Sequence, residues 1–209
     1  MPAAPSSLSI TLRILSIVFY TFIAFICIGL PIAVLPSHVH DVLGYSAVVA
    51  GLVIGIQYLS TLLSRPMAGR LADSLGTRRT IAYGLFGIAF AGLLTWVSAL
   101  AVDLPLLSLA LLLAGRVLLG IAQGLIGVGT LSWGIGQVGA EHTARVISWN
   151  GIASYGAIAI GAPVGVILAG ETGFWSIGPA LTALAVIALL VIRTCLLYTS
   201  PSPRDKRQS

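Results

Sequence analysis

Apolar runs of about twenty residues recur along this chain, and no other feature constrains its fold as tightly. They occupy residues 14–35, 46–63, 80–102, 106–138, 146–168 and 175–192. A helix rises about 1.5 Å per residue, so some twenty residues cross a hydrocarbon core roughly 30 Å thick. In lipid every backbone N–H and C=O must find its partner within the protein, which leaves helices and closed barrels as spanning structures. A barrel would show shorter segments in which apolar and polar residues alternate, and these runs do not alternate. The chain is 57% hydrophobic and 8% charged, against roughly 25% charged in soluble domains. The sequence therefore predicts an all-α membrane protein, a bundle of six transmembrane helices whose first partner is the lipid bilayer. The fourth run exceeds a simple span, which predicts a tilt or an interfacial end.

The few charges fix an orientation. Before residue 194 the Lys and Arg positions are Arg13, Arg65, Arg70, Arg78, Arg79, Arg116, Arg145 and Arg193. With the N-terminus inside, all but Arg116 fall on the cytoplasmic side, while the opposite gaps hold His38, His40, Asp41, Asp103 and Glu171 and no Lys or Arg. The positive-inside rule then predicts both termini in the cytoplasm. The formal charge of +5 does not indicate a nucleic-acid partner, because the cations are scattered between apolar runs rather than gathered on one face. Residues 1–13 read as a cytoplasmic N-terminus; they lack the marks of a cleaved leader, and the first run has full spanning length. Cys27 and Cys195 suggest no disulfide. His38-Val-His40-Asp41 in an outer gap is not expected to hold a metal, His142 reads as a solvated loop residue, and no cofactor is expected. An intramembrane protease would need a base within the spans, and all three histidines lie in gaps, so no enzyme is expected.

Three segments carry chemistry. Gly69-Arg70-Leu-Ala-Asp73-Ser-Leu-Gly76-Thr-Arg78-Arg79 is a charge-dense turn between the second and third runs. Gly76 can take the positive φ that a tight reversal needs, Asp73 can meet a positive helix N-terminus, and the arginines sit at an anionic leaflet. Next, Arg116 lies ten residues into the fourth run, about 15 Å deep. A charge there costs at least ~2.5–3.5 kcal/mol on insertion scales, so it should face a cavity or a partner. Gly120 and Gly124 after it form a small-xxx-small step for a close neighbour helix. In the fifth run Ala153, Ala157, Gly161, Gly165 and Ala169 recur every four residues, with Gly156 nearby and Pro163 free to bend the helix. Tyr20, Gln57, Gln123, Asn150 and Tyr155 join Arg116 as candidates to line a pathway, because unpaired polar groups are costly in lipid. Pro66, Ala72 and Gly76 recur at the same offsets as Pro163, Ala169 and Gly173, as an inverted three-plus-three repeat predicts.

The Gly69–Arg79 spelling resembles the signature loop between helices 2 and 3 of the major facilitator superfamily of transporters. The resemblance implies that Gly69, Arg70, Asp73, Gly76, Arg78 and Arg79 form a conformational latch, in which Asp73 meets a helix of a second half. The segment 113–124 resembles that family's helix-four motif, which implies a pathway role for Arg116. The segment 150–165 resembles the helix-five motif of its antiporters, in which a kinked, glycine-rich face seals the two halves; Ala162 and Val166 stand where that motif usually has Gly. Read with 29–36, 40–42, 61–69 and 145–151, the chain is similar to the YhhS-type subfamily of bacterial inner-membrane transporters. The match implies one half of a twelve-helix fold, residues 14–193, whose partners are a missing C-terminal six-helix half, a small-molecule substrate and protons. The expected activity is efflux by proton antiport. Alternatives are uptake of an anionic metabolite by symport or uniport, since Arg116 is the one buried charge, and a non-transporting or self-pairing six-helix protein. Residues 195–205 resemble an in-frame translation of the transposase adaptor used in short-read DNA sequencing, which implies that residues 194–209 are a non-native tail.

Overall fold

The computed structural model describes residues 7–198, with side chains to residue 193. The expected tail lies mostly outside the described residues. Six long helices form: α1 Ser7–Ile32, α2 Ala47–Leu75, α3 Thr77–Leu100, α4 Pro105–Val138, α5 Thr143–Thr172 and α6 Ile177–Tyr198. Six segments are long and apolar enough to cross a membrane, and no strand occurs among the described residues.

Local chemistry sets the helix ends. Ser46 caps α2 by accepting from the Val49 N–H at 3.4 Å, one of the orphan donors of a first turn. Pro105 stands in the first turn of α4, where its missing N–H costs nothing. Gly76, Gly139 and Gly173 close α2, α4 and α5 with φ of 88°, 91° and 96°. Their ψ values of 150°, 157° and 161° place them in a region essentially restricted to glycine. Gly76 and Gly173 each follow an internal proline, Pro66 or Pro163, at the same spacing.

The charge-dense turn is not a loop. Helix α2 continues past residue 63 to Leu75 and α3 starts at Thr77, so Arg65, Arg70 and Asp73 are helical and Gly76 alone joins the two helices. Hydropathy ends where lipid solubility ends, whereas backbone hydrogen bonding carries the helix on into polar sequence. The same reasoning explains why α1 is already helical at Ser7, inside the segment 1–13 read as a separate terminus. The long fourth run is one helix of 34 residues, about 50 Å at 1.5 Å per residue.

Helices from opposite halves exchange partners. α1 packs along α5, α2 along α4, and α3 against both α4 and α6. At the α1–α5 contact a Cβ on Gly161 would lie 3.1 Å from the Gly29 Cα, and one on Gly165 would strike the Leu30 carbonyl. At the α2–α4 contact, Cβ atoms on Gly120 and Gly124 would strike the Gln57 carbonyl and the Ser64 hydroxyl. Helices 1 and 4 correspond under the inverted repeat, as do 2 and 5, so these two contacts are equivalents. The main core joins α1, α3, α4 and α6 through Ile17, Ile81, Leu85, Leu119, Ile126 and Leu181.

Candidate functional site

Two polar seams run through the bundle. In the α2–α4 seam, Arg116 is 2% exposed and its Nη1 donates to Gln57 Oε1 at 3.1 Å. The Arg116 Nε and Nη2 and the Gln57 Nε2 are buried without a hydrogen-bond partner. One turn on, Thr61 Oγ1 donates to Gln123 Oε1 at 3.1 Å. The helical spacing of Gln57, Thr61 and Ser64 puts them on one face of α2, where Gly120 and Gly124 allow α4 to approach. The small residues thus bring the buried guanidinium within reach of an amide.

The second seam joins α1, α4 and α5. Thr21 Oγ1 donates to Asn150 Oδ1 at 2.8 Å and lies 2.9 Å from Thr130 Oγ1. Between the seams opens a cavity of about 250 Å³, lined by Phe25 of α1, Thr61 and Arg65 of α2, Gln123, Val128 and Leu131 of α4, and Asn150 of α5.

The candidate residues therefore separate. Gln123 and Asn150 share this cavity. Arg116 and Gln57 are sealed between α2 and α4, close to but outside the cavity lining. Tyr20 is buried and stacks on Trp133 with ring centroids 6.1 Å apart. Tyr155 is 77% exposed on α5. Gly156 does not pack against a neighbour: a Cβ there meets nothing within 4 Å. It lies one residue off the Ala153–Ala157–Gly161–Gly165 ladder, a rotation of about 100° away from α1.

At the Gly76 end, the Arg78 guanidinium lies 4.8 Å from the centroid of the Trp133 ring, a cation–π geometry. Asp73, Arg70 and Arg79 are exposed around it. Arg145 ties the starts of α5 and α1 together, donating to Thr11 Oγ1 at 2.7 Å and Ser7 Oγ at 3.2 Å. At the opposite end of α3 and α4, Ser98 and Ser108 each donate to the other's backbone carbonyl at 2.8 Å. Near Gly173, His38 stacks on Phe174 with centroids 3.8 Å apart. Burial lowers its pKa to about 4 and leaves its Nε2 without a partner. Among the described residues no group of His, Cys, Asp and Glu is arranged to hold a metal.

Sequence reasoning missed Arg65 as a site residue, treating it as a topology charge. Its signal was the spacing Gln57, Thr61, Arg65, a four-residue polar step along α2. Thr130 carried no comparable signal, because its partner Thr21 lies on another helix.

Residues 17–209 match the Major Facilitator Superfamily. The chain belongs to this superfamily. It is 50% identical over 203 residues to the uncharacterized MFS-type transporter YhhS of Escherichia coli (strain K12), covering 97% of this chain and 48% of that protein. An uncharacterized MFS-type transporter of Burkholderia mallei (strain SAVP1) is 50% identical over 192 residues, covering 92% of this chain and 46% of its own length. The chain thus spans about half the length of the relatives it matches. A crystal structure of a D-xylose-proton symporter superposes with a TM-score of 0.69 at 16% identity, over 94% of this chain and 50% of that one; at that identity the likeness concerns the fold alone. This major-facilitator chain is accordingly a multi-pass membrane protein, and the family's role is transport.

Proposed function

We propose that this bundle is the N-terminal half of a secondary transporter of the bacterial inner membrane, with both termini cytoplasmic. It works by alternating access against a second six-helix bundle. The observation that carries this reading is the cavity flanked by two polar seams on helices α1, α2, α4 and α5. Polar groups in hydrocarbon mark a path for solute or ion. Export of a small molecule in exchange for protons is the first reading. It is supported by the close seat of Gly161 and Gly165 of α5 on α1, because these residues belong to the segment that resembles the antiporter motif. No Asp or Glu occurs within a described span core; Asp41, Asp73, Asp103, Glu141 and Glu171 all lie at ends. A proton-carrying acid therefore belongs to the second bundle. Uptake of an anionic metabolite is the second reading, favoured by the cations Arg65 and Arg116 near the path.

Asp73 and its neighbours are assigned to a latch that holds one conformational state by touching the second bundle. Residues 194–209 are assigned to sequence foreign to the protein on the adaptor resemblance alone, although the superfamily match runs through them to residue 209. Genomic DNA from the source should diverge near residues 194–195 and continue into further helices. A genomic read encoding residues 196–209 and then a stop would favour a self-pairing half instead. For transport, the complete protein reconstituted in vesicles should show solute flux driven by an imposed proton gradient. Flux indifferent to that gradient would refute proton coupling.

A further inference from the structure

The wall of the α1–α2–α4–α5 cavity is weighted toward hydrogen-bond donors. The Thr61 hydroxyl shares its proton between the Gln57 carbonyl at 3.0 Å and Gln123 Oε1 at 3.1 Å, and the Thr21 hydroxyl donates to Asn150 Oδ1. Each amide keeps two N–H donors against one remaining oxygen lone pair. Arg65, on the same cavity, adds a guanidinium, which has only donors. Among the described residues none of these three donor groups has an acceptor, and the lining contains no carboxylate. Gln123 is 6% exposed, Asn150 is half-buried and Arg65 is exposed, so the donors run from the buried wall of the cavity to its open side, where a ligand can reach all three. The rest of the lining is apolar, including Phe25, Val128 and Leu131.

We propose that this cavity is a carboxylate subsite, in which Arg65, Gln123 and Asn150 hold the –COO⁻ of a small organic acid while Phe25 and Val128 cover its apolar body. The guanidinium is suited to the task because its planar fork matches the two carboxylate oxygens. The location fits a transported ligand. Arg65 stands two residues past the apolar run 46–63, at the end of the path proposed to face the cytoplasm, and four helices from both repeats converge there. This assignment rests on the transporter reading and narrows its substrate to a class, without fixing the direction of transport.

The same carboxylate chemistry has a second source, an acidic side chain of the second bundle, and the experiment separates the two. The complete transporter is purified in detergent and its equilibrium binding of radiolabelled benzoate is measured, with unlabelled benzamide as the neutral competitor of the same shape. Saturable benzoate binding that benzamide does not displace is expected. Arg65→Gln should weaken it at least tenfold, Arg65→Lys should weaken it less, and Gln123→Leu and Asn150→Leu should each weaken it measurably. Thermal unfolding of Arg65→Gln should match that of the unsubstituted protein. Absence of benzoate binding would overturn the proposal, and a lowered unfolding temperature in Arg65→Gln beside it would mean that an acid of the second bundle pairs with Arg65. Equal displacement by benzamide, or benzoate affinity unchanged in Arg65→Gln, would also overturn it. Binding is measured without a gradient, so it can stand where gradient-driven flux fails. Conversely, flux of a neutral or cationic solute that Arg65→Gln leaves intact sinks the subsite and spares the transporter reading.

Discussion

The α1–α5 contact makes a sharp prediction through Gly165. A Cβ added there would strike the Leu30 carbonyl oxygen and lie 2.6 Å from its carbonyl carbon and 2.8 Å from its Cα. Optimal carbon–carbon separation is about 3.5–4.0 Å, so the intrusion is close to 1 Å. The atoms struck are backbone, so no rotamer change relieves it; α1 and α5 must separate or slide. Overpacking of this kind costs about 1–3 kcal/mol. Gly→Ala in a helix interior also gains roughly 1 kcal/mol of propensity, which would mask part of the effect. Gly156→Ala on the same helix supplies the correction, since its Cβ meets nothing within 4 Å. The difference between the two variants isolates the clash. For a chain of this size 1 kcal/mol corresponds to about 2–4 °C, so Gly165→Ala should unfold roughly 2–12 °C below Gly156→Ala when both are melted in the same detergent. Unfolding temperatures within about 1 °C of each other would refute the close backbone approach.

Other residues give independent tests. Cysteines placed at Ser37 or Glu171, both exposed at one end, should react with an impermeant thiol reagent in intact cells, while those at Ser74 or His142 should react only after lysis; the reverse pattern would invert the proposed orientation. In the complete transporter Asp73→Asn should cut transport strongly at normal expression, because a contact made in one state alone sets the inward–outward balance; unchanged kinetics would reduce the Gly76 turn to a topology signal. His38, with its pKa lowered to about 4 by burial, gives a pH effect of definite sign. The unfolded chain takes up that proton near pH 6.5 and the folded one does not, so stability contributed by the neutral ring should fall as pH drops from about 6.5 toward 4. His38→Phe should flatten that slope while keeping the stack on Phe174, and an unaltered slope would exonerate His38. Arg116→Lys keeps the charge but loses the fork that meets Gln57. It should impair transport at normal insertion, and Arg116→Ala should abolish binding or coupling without unfolding the bundle; normal transport by Arg116→Ala would end its assignment to the path.

How far the sequence could be read depended on whether a feature was local. Runs of apolar residues are local, so the six-helix architecture was legible, and helix ends marked by Gly76, Gly139 and Gly173 are local because the backbone there admits little but glycine. The glycine steps on α4 and α5 predicted close packing because a four-residue repeat must face something; Gly156 fell outside the ladder by one residue and with it outside the contact. Where helix and hydropathy part company, as at residues 64–75 of α2, the reading failed, because burial in lipid and backbone hydrogen bonding end at different places. The cavity was the least legible element. Arg65 by itself looks like any positive-inside arginine. Its proposed meaning comes from Gln123 and Asn150 presenting donors to the same space, and that depends on which hydroxyls, Thr61 and Thr21, occupy their acceptor ends. Such a choice is made between helices and leaves no trace in the order of residues. The polarity of the site is therefore a tertiary property, and substitutions at Thr61 or Thr21, which touch the cavity indirectly, should alter ligand preference as well as stability by freeing an amide oxygen to face the ligand.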